Sequence, residues 1–214
     1  MIAALLLAGA MPAHAAVTVE VDTDPATPGI QSTRAAAVND IFTIDLVMTA
    51  DAAGVSSYGV SVDFDNLELM LNGSPASTEL LPALFSFNFT PGVSSESQPL
   101  GQVRTFEAAT FGSGPVSSSF VIGSISFKAI APVTDGLLDI TLGLFNTGVD
   151  GIFDNAGGDL GPSAVFTGGQ VDFVPEPGSG AFLMAAAAGL FASRWRPFAN
   201  AAPASSRGSS CSAG

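Results

Sequence analysis

Apolar and polar residues alternate with a period of two in four stretches of the chain. The stretches are "IFTIDLVMT" (41–49), "SYGVSVDF" (57–64), "FSFNFT" (85–90) and "LLDITLGLF" (137–145). Successive side chains of a β-strand point to opposite faces, so this alternation predicts strands with one buried face. The residues expected to face the core are Phe42, Ile44, Leu46, Val60, Val62, Phe64, Leu138, Ile140 and Leu142.

Weaker alternation predicts further strands, which brings the expected number to about nine. These weaker candidates lie at 17–22, 67–72, 102–110, 119–130 and 164–173. Clusters of Gly, Pro, Asn, Asp and Ser separate the strands, as is typical of turns between short strands. The fold class predicted for residues 17–174 is therefore all-β, an antiparallel β-sandwich or jelly roll.

The N-terminus has the parts of a secretory signal peptide in their usual order. Ile2 to Ala10 is an apolar run, and Ala13-His14-Ala15 supplies the small residues of a cleavage site. We expect residues 1–16 to be a signal peptide, cut after Ala15 or Ala16. Export would also remove His14, the only histidine, which excludes histidine-based triads and histidine zinc sites from the mature domain.

A second apolar segment lies near the C-terminus. Pro175, Glu176 and Pro177 precede the apolar residues 178–193, and Arg194 and Arg196 follow them. As a helix of about 1.5 Å per residue, this segment would be slightly shorter than a typical bilayer core of about 30 Å. The arginines would remain on the cytoplasmic side. We expect a transmembrane segment at 178–193 and a disordered tail at 197–214.

This order of parts resembles the PEP-CTERM sorting signal, a bacterial C-terminal signal that the membrane protease exosortase recognises. The resemblance covers residues 175–196, with Pro175-Glu176-Pro177 as the motif and Arg194 and Arg196 as its basic end. It implies that exosortase is a processing partner and that the chain is anchored only transiently in the inner membrane. The mature protein would then reside in the cell envelope, on the outer surface or outside the cell.

Residues 39–71 and 121–143 resemble the cohesin-like family of β-sandwiches. The resemblance rests on an opening strand of alternating residues, a Gly- and Ser-containing turn, and the step Asp63-Phe64-Asp65. Phe127-Lys128-Ala129 is similar to a later strand of that family. The resemblance implies a cohesin-like sandwich with a binding or structural role and no enzymatic activity.

Two kinds of partner follow from these resemblances. The first is exopolysaccharide, which would make the protein a component of the cell surface or extracellular matrix. The alternative is an adhesin module that binds another surface protein through an open sheet face or a loop rim. A third interpretation, from another class, is a carbohydrate-active hydrolase in which Asp63 and Asp65 serve as acid and base. It conflicts with the absence of Trp between residues 17 and 174.

Charge narrows the choice of partner. The chain of 214 residues has a formal net charge of −13, and residues 17–174 contain eighteen Asp or Glu against three basic residues. Because phosphate binding needs clustered Lys and Arg, a nucleic-acid partner is excluded. The lone Cys211 excludes an intrachain disulfide and a cysteine-based metal cage.

An acidic, Gly-rich loop at 150–161 is the candidate metal site. Asp150, Asp154 and Asp159 offer the hard oxygen ligands that suit Ca²⁺, although their spacing differs from that of an EF-hand. Glu20, Asp22 and Asp24 form a second acidic cluster. The alternative interpretation of the loop and of this cluster is a solvated turn without a metal ion. Calcium is the only cofactor that the sequence suggests.

Overall fold

The computed structural model describes residues 17–75, 92–110, 112–132 and 138–174. The chain divides into two compact units, 1–174 and 175–214, and every described residue belongs to the first. The twelve strands of the described part are β1 (Thr18–Asp22), β2 (Thr33–Ala36), β3 (Ile41–Ala50), β4 (Ser57–Phe64), β5 (Leu69–Leu71), β6 (Gly92–Ser97), β7 (Gln102–Ala109), β8 (Ser118–Ala129), β9 (Ile140–Gly143), β10 (Gly151–Phe153), β11 (Val165–Thr167) and β12 (Gln170–Phe173).

The strands form two main sheets and one short ribbon. The first sheet has the order β11-β1-β3-β8-β5, and the second has the order β10-β4-β7-β6, with β9 also paired to β4. The ribbon pairs β12 with β2. The predicted all-β fold is confirmed, but two details differ. The described part has twelve strands where about nine were expected, and the pairs β1–β11 and β2–β12 are parallel.

The two strands with the clearest alternation supply facing layers of the core. In β3, Phe42, Ile44 and Leu46 are buried, and in β4, Val60 and Val62 are completely buried. Burial of each such side chain contributes about 1.5–3 kcal/mol relative to exposure, so these strands account for much of the hydrophobic stabilisation. The expectation of burial is confirmed for eight of the nine predicted core residues, since Phe64, Ile140 and Leu142 are buried as well.

Leu138 is the exception, because 52% of its surface is exposed. The period-two pattern at 137–145 continues beyond the strand, which begins only at Ile140. The neighbouring Asp139 is turned inward instead, and its carboxylate accepts the backbone N–H of Val171. This hydrogen bond satisfies a buried carboxylate that would otherwise be costly to desolvate, and it leaves Leu138 on the surface.

Two backbone hydrogen bonds join β9 to the segment between β11 and β12. Ile140 in β9 and Gly169 bond to each other twice, with N···O distances of 3.0 and 2.9 Å. A side chain at Gly169 would meet Val21 and Thr23 at 2.8 Å, so only glycine permits this approach.

Several predicted segments lie outside the described residues. They are the signal peptide (1–16), the expected strand at 85–90, the sorting motif, the expected transmembrane segment at 178–193 and the expected disordered tail at 197–214. In the described ranges, no helix is both long and apolar enough to cross a membrane.

Candidate functional site

The outer face of the second sheet has a row of paired residues that consists of three glycines and one glutamate. The pairing places Gly151 of β10, Gly59 of β4, Glu107 of β7 and Gly92 of β6 opposite one another across four strands. The adjacent row consists of Phe153, Ser57 and Ala109. Because Tyr58 and Val60 point into the core, residue 59 and its row face outward.

Except for Gly92, the residues of these rows line a groove of about 230 Å³, which we call the glycine groove. Exposed apolar side chains border it, since Val149 is 54% and Phe153 is 41% exposed. A side chain at Gly151 would lie 3.0 Å from the Phe153 ring, so the missing side chain leaves room for this ring across the sheet. The residues that line the groove are Ser57, Tyr58, Gly59, Glu107, Ala108, Ala109, Val149, Gly151 and Phe153.

Glu107 gives the glycine groove its charge. Its side chain is exposed and stands between glycines on both neighbouring strands. Within the described ranges, neither Lys nor Arg forms an ion pair with it. The two described arginines are engaged elsewhere, Arg34 with Asp24 at 3.1 Å and Arg104 with Asp63 at 2.6 Å. Among the described residues, the groove therefore offers a carboxylate without a basic partner beside apolar surface.

Asp150, Ser61, Thr105 and Asn146 form a hydrogen-bonded network, which we call the Asp150 clamp. It holds the loop between β9 and β10, which borders the glycine groove. Asp150 accepts hydrogen bonds from the hydroxyls of Ser61 at 2.6 Å and Thr105 at 2.9 Å, and from the backbone N–H of Asn146 at 2.8 Å. The Asn146 side-chain amide also donates to the Thr105 hydroxyl at 2.8 Å. Ser61 and Thr105 are completely buried, so the clamp satisfies polar groups that the loop removes from water.

The clamp also fixes an irregular point in β7. The pairing of β4 with β7 shifts register between Val60 and Val62, and Thr105 has a φ of 55° there. This left-handed conformation is strained for a β-branched residue. The Thr105 N–H donates to the Ser61 hydroxyl at 3.0 Å, which helps to hold the conformation. The loop and the bulge are thus stabilised by the same four side chains.

Tyr58 lies under the groove but points into the core. It is 3% exposed and packs against Phe120, with ring centroids 6.5 Å apart. Burial raises the pKa of the Tyr58 phenol far above its ordinary value. The tyrosine is therefore a core residue and not a titrating group of the groove.

The two carboxylates of the hydrolase interpretation have different bonding partners. Asp63 is at the end of β4, where its Oδ1 is 2.6 Å from Arg104 Nη1. Asp65 follows the strand, and its Oδ1 accepts the Leu67 N–H at 2.7 Å to form a turn. Neither residue lines the glycine groove. Each carboxylate has a local structural partner, which is the arrangement expected of a strand end and its turn.

Each predicted calcium ligand already accepts hydrogen bonds from the protein, Asp154 and Asp159 within the loop and Asp150 from β4 and β7 as well. Asp150 belongs to the clamp, Asp154 accepts the N–H groups of Ala156 and Gly158 at 2.7 Å, and Asp159 accepts that of Gly161 at 2.9 Å. In the part of the chain that the structure describes, no three acidic side chains converge on one point. Calcium binding at 150–161 stays a prediction.

The glycine groove was not expected from the sequence, because glycine usually indicates turns. A signal was nevertheless present in two similar tripeptides, Gly143-Leu144-Phe145 and Gly151-Ile152-Phe153. In each, the aromatic ring lies against the glycine two residues earlier, at 2.5 Å and 3.0 Å from where a side chain would begin. Residues i and i+2 of a strand share a face, so this spacing indicates aromatic rings over a glycine floor.

Searches with family models and against curated proteins found no match. Among solved structures, the chain is similar to cohesins. The sixth cohesin of scaffoldin B from Acetivibrio cellulolyticus, solved with a dockerin, is 14% identical, with 74% of this chain and 99% of that chain covered and a TM-score of 0.49. A non-cellulosomal cohesin from Archaeoglobus fulgidus is 14% identical, with 78% and 98% covered and a TM-score of 0.47. These comparisons concern the fold, and function depends on the residues of the site.

Proposed function

We propose that the domain is a protein-binding module of the bacterial cell surface that uses the glycine groove. Its partner would present a basic side chain beside an apolar one. The observation that carries the proposal is the in-register row in which Glu107 stands between Gly59 and Gly92, in the groove that the exposed Phe153 also lines.

Apolar surface and charge both support this proposal. Exposed aromatic and aliphatic side chains that border a groove gain free energy when a partner removes them from water. An unpaired carboxylate adds specificity for a cation, since a partner with an acidic side chain there would be repelled. The excess of acidic residues between 17 and 174 would also speed the approach of a basic partner at low salt.

The lining of the groove favours a protein over a polysaccharide. Sugar rings usually stack on Trp or Tyr, and the groove offers one phenylalanine and no such ring on its surface. Exopolysaccharide association stays a prediction that rests on the sequence resemblance.

Selection of displayed peptides on the purified mature domain would test the proposal. We expect enriched peptides to combine Arg or Lys with an apolar residue and to lose binding to Glu107→Lys and Phe153→Ala. Glu20→Lys on the first sheet is the matched control, because it makes the same charge change on β1. Equal binding to Glu107→Lys and Glu20→Lys would contradict a role for the groove. If the domain retains host exopolysaccharide after washing but retains no peptide, the result would favour the polysaccharide interpretation.

We also propose that exosortase releases this module from the inner membrane at Pro175-Glu176-Pro177. The export signal and the three-part C-terminal pattern support the proposal. The mass of the surface form, measured in hosts with and without exosortase, would test it. A mature form that still contains Trp195, or an unchanged mass after replacement of all three motif residues by Ala, would indicate a permanent anchor instead.

A further inference from the structure

Strand β12 is the last element of the described domain, and its backbone is bonded along its whole length. It pairs with β2 from Gln170 opposite Thr33 to Phe173 opposite Ala36. The pairing continues one residue beyond the strand, where the Val174 N–H donates to the Ala36 carbonyl at 2.9 Å. The ordered backbone bonding therefore reaches Val174.

Side chains also hold β12 in place. Val171 is 4% exposed and belongs to the same hydrophobic core as the buried Ala36. Its N–H donates to the carboxylate of Asp139, which is only 5% exposed. Just before the strand, Gly169 bonds twice to Ile140. Strand β12 is thus part of the folded domain and not a loosely attached end.

The sorting motif begins at the next residue. Within the described part, the N–H groups of Gln170 and Val174 donate to the carbonyls of Ser32 and Ala36, and Val174 is the last residue described. Pro175, Glu176 and Pro177 together span at most about 10 Å when extended. A protease that cuts within this motif therefore acts within three residues of Val174, whose N–H is bonded to Ala36.

We propose that β12 is a latch that controls release, an inference that rests on the sorting function proposed above. A protease commonly binds its substrate as an extended strand through main-chain hydrogen bonds. The residues that precede the motif cannot bond to β2 and to a protease at the same time. Cleavage then requires local separation of β12 from β2, and the release rate follows the population of this open state.

The test uses the full chain in its host, in a Cys211→Ser background, with pulse–chase measurement of release. Insertion of a flexible Gly- and Ser-rich linker between Val174 and Pro175 provides the spacer that the natural chain lacks. We expect release to become about tenfold faster, because the protease then no longer depends on a local opening step. Asp139→Ala, which removes the acceptor of the Val171 N–H, should also speed release.

A disulfide between β2 and β12 should have the opposite effect on release, because it prevents the two strands from separating. Ala35 and Asp172 are exposed and lie opposite each other, so Ala35→Cys with Asp172→Cys places two thiols across the pair. Export to an oxidising compartment favours the bond. We expect release to stop and to resume when a reductant is added. Thr49→Cys with Ser119→Cys is the matched control, since it joins β3 to β8, in a different sheet from the β2–β12 pair.

Three results would be distinguishable. Faster release with the linker and reversible arrest by the 35–172 disulfide alone would support the latch. Equal release rates in all variants, with the motif still required, would overturn the latch and leave sorting intact. Absence of release in every variant, the linker variant included, would overturn the sorting function and the latch with it.

Discussion

The two outer faces of the sandwich differ in how their polar groups are satisfied. On the first sheet, β3 and β8 place Thr43, Asp45 and Thr49 opposite Ser126, Ser124 and Ser119. We call these six residues the serine–threonine face. Two of its three pairs are hydrogen-bonded, with 2.7 Å between the Thr49 and Ser119 hydroxyls and 2.6 Å from the Ser124 hydroxyl to Asp45.

On the second sheet, the glycine groove leaves Phe153 and Val149 exposed and Glu107 without a basic partner in the described part of the chain. A partner that covered the serine–threonine face would replace satisfied hydrogen bonds and gain little. A partner that covered the groove would bury apolar surface and pair a free carboxylate. Of these two faces, we therefore expect binding at the glycine groove, where apolar side chains remain exposed and a carboxylate has no basic partner among the described residues.

The largest expected effect concerns how much one carboxylate near each face contributes to stability, Asp150 beside the glycine groove and Asp45 on the serine–threonine face. Asp150→Ala leaves the buried hydroxyls of Ser61 and Thr105 without their acceptor, and we expect a loss of about 3 kcal/mol in the free energy of unfolding. Asp45→Ala removes one bond from the partly exposed Ser124 hydroxyl and should cost less than about 1 kcal/mol. Urea unfolding of both variants gives the comparison. Equal losses would show that the clamp is no more important than a surface hydrogen bond.

Much of this fold was predictable because strands buried on one face show their pattern in the sequence. β3 and β4 alternate clearly, and their apolar residues are the core. Three strands, β2, β6 and β10, were not predicted. β6 reads Gly-Val-Ser-Ser-Glu-Ser, with little apolar surface, and β2 and β10 have only four and three residues, too few to show a period.

The site was less predictable than the core. The groove depends on register, which places Gly59, Gly151 and Glu107 in one row although they come from three strands. Sequence spacing gives neighbours along a strand, but only pairing shows neighbours across it. The same limit applies to the clamp, in which Ser61 and Asp150 are 89 residues apart in the chain.

The next prediction concerns binding. Glu107→Lys should weaken the affinity for a selected basic peptide by about 10- to 100-fold, since it replaces an attraction by a repulsion at the centre of the groove. Glu20→Lys on the first sheet should leave the affinity nearly unchanged. Titration calorimetry at two salt concentrations would measure both, and the difference should shrink as salt rises. Equal weakening by the two variants would indicate a general charge effect rather than a site.

A smaller effect is expected from the floor of the groove. In Gly59→Ala, the new methyl group would lie 3.2 Å from the Thr105 side chain and the Val149 carbonyl. The backbone of the loop must shift to accept it, and we expect a loss of about 1–2 kcal/mol in stability. Gly112→Ala is the control, because its nearest neighbour would be 3.9 Å away. Thermal unfolding that ranks the two variants equally would show that the close approach at Gly59 is unimportant.

The smallest expected effect is that of calcium, and it compares two acidic regions, one beside each sheet. If the loop at 150–161 binds Ca²⁺ only when folded, about ten times the dissociation constant of calcium should raise the melting temperature by about 3–6 °C. Asp154→Asn with Asp159→Asn should abolish this shift while the Asp150 clamp stays intact. Asp22→Asn with Asp24→Asn, in the cluster at the end of β1, should leave the shift unchanged. The reverse outcome would place calcium at the first sheet, and an unchanged shift in both double variants would assign it to neither cluster.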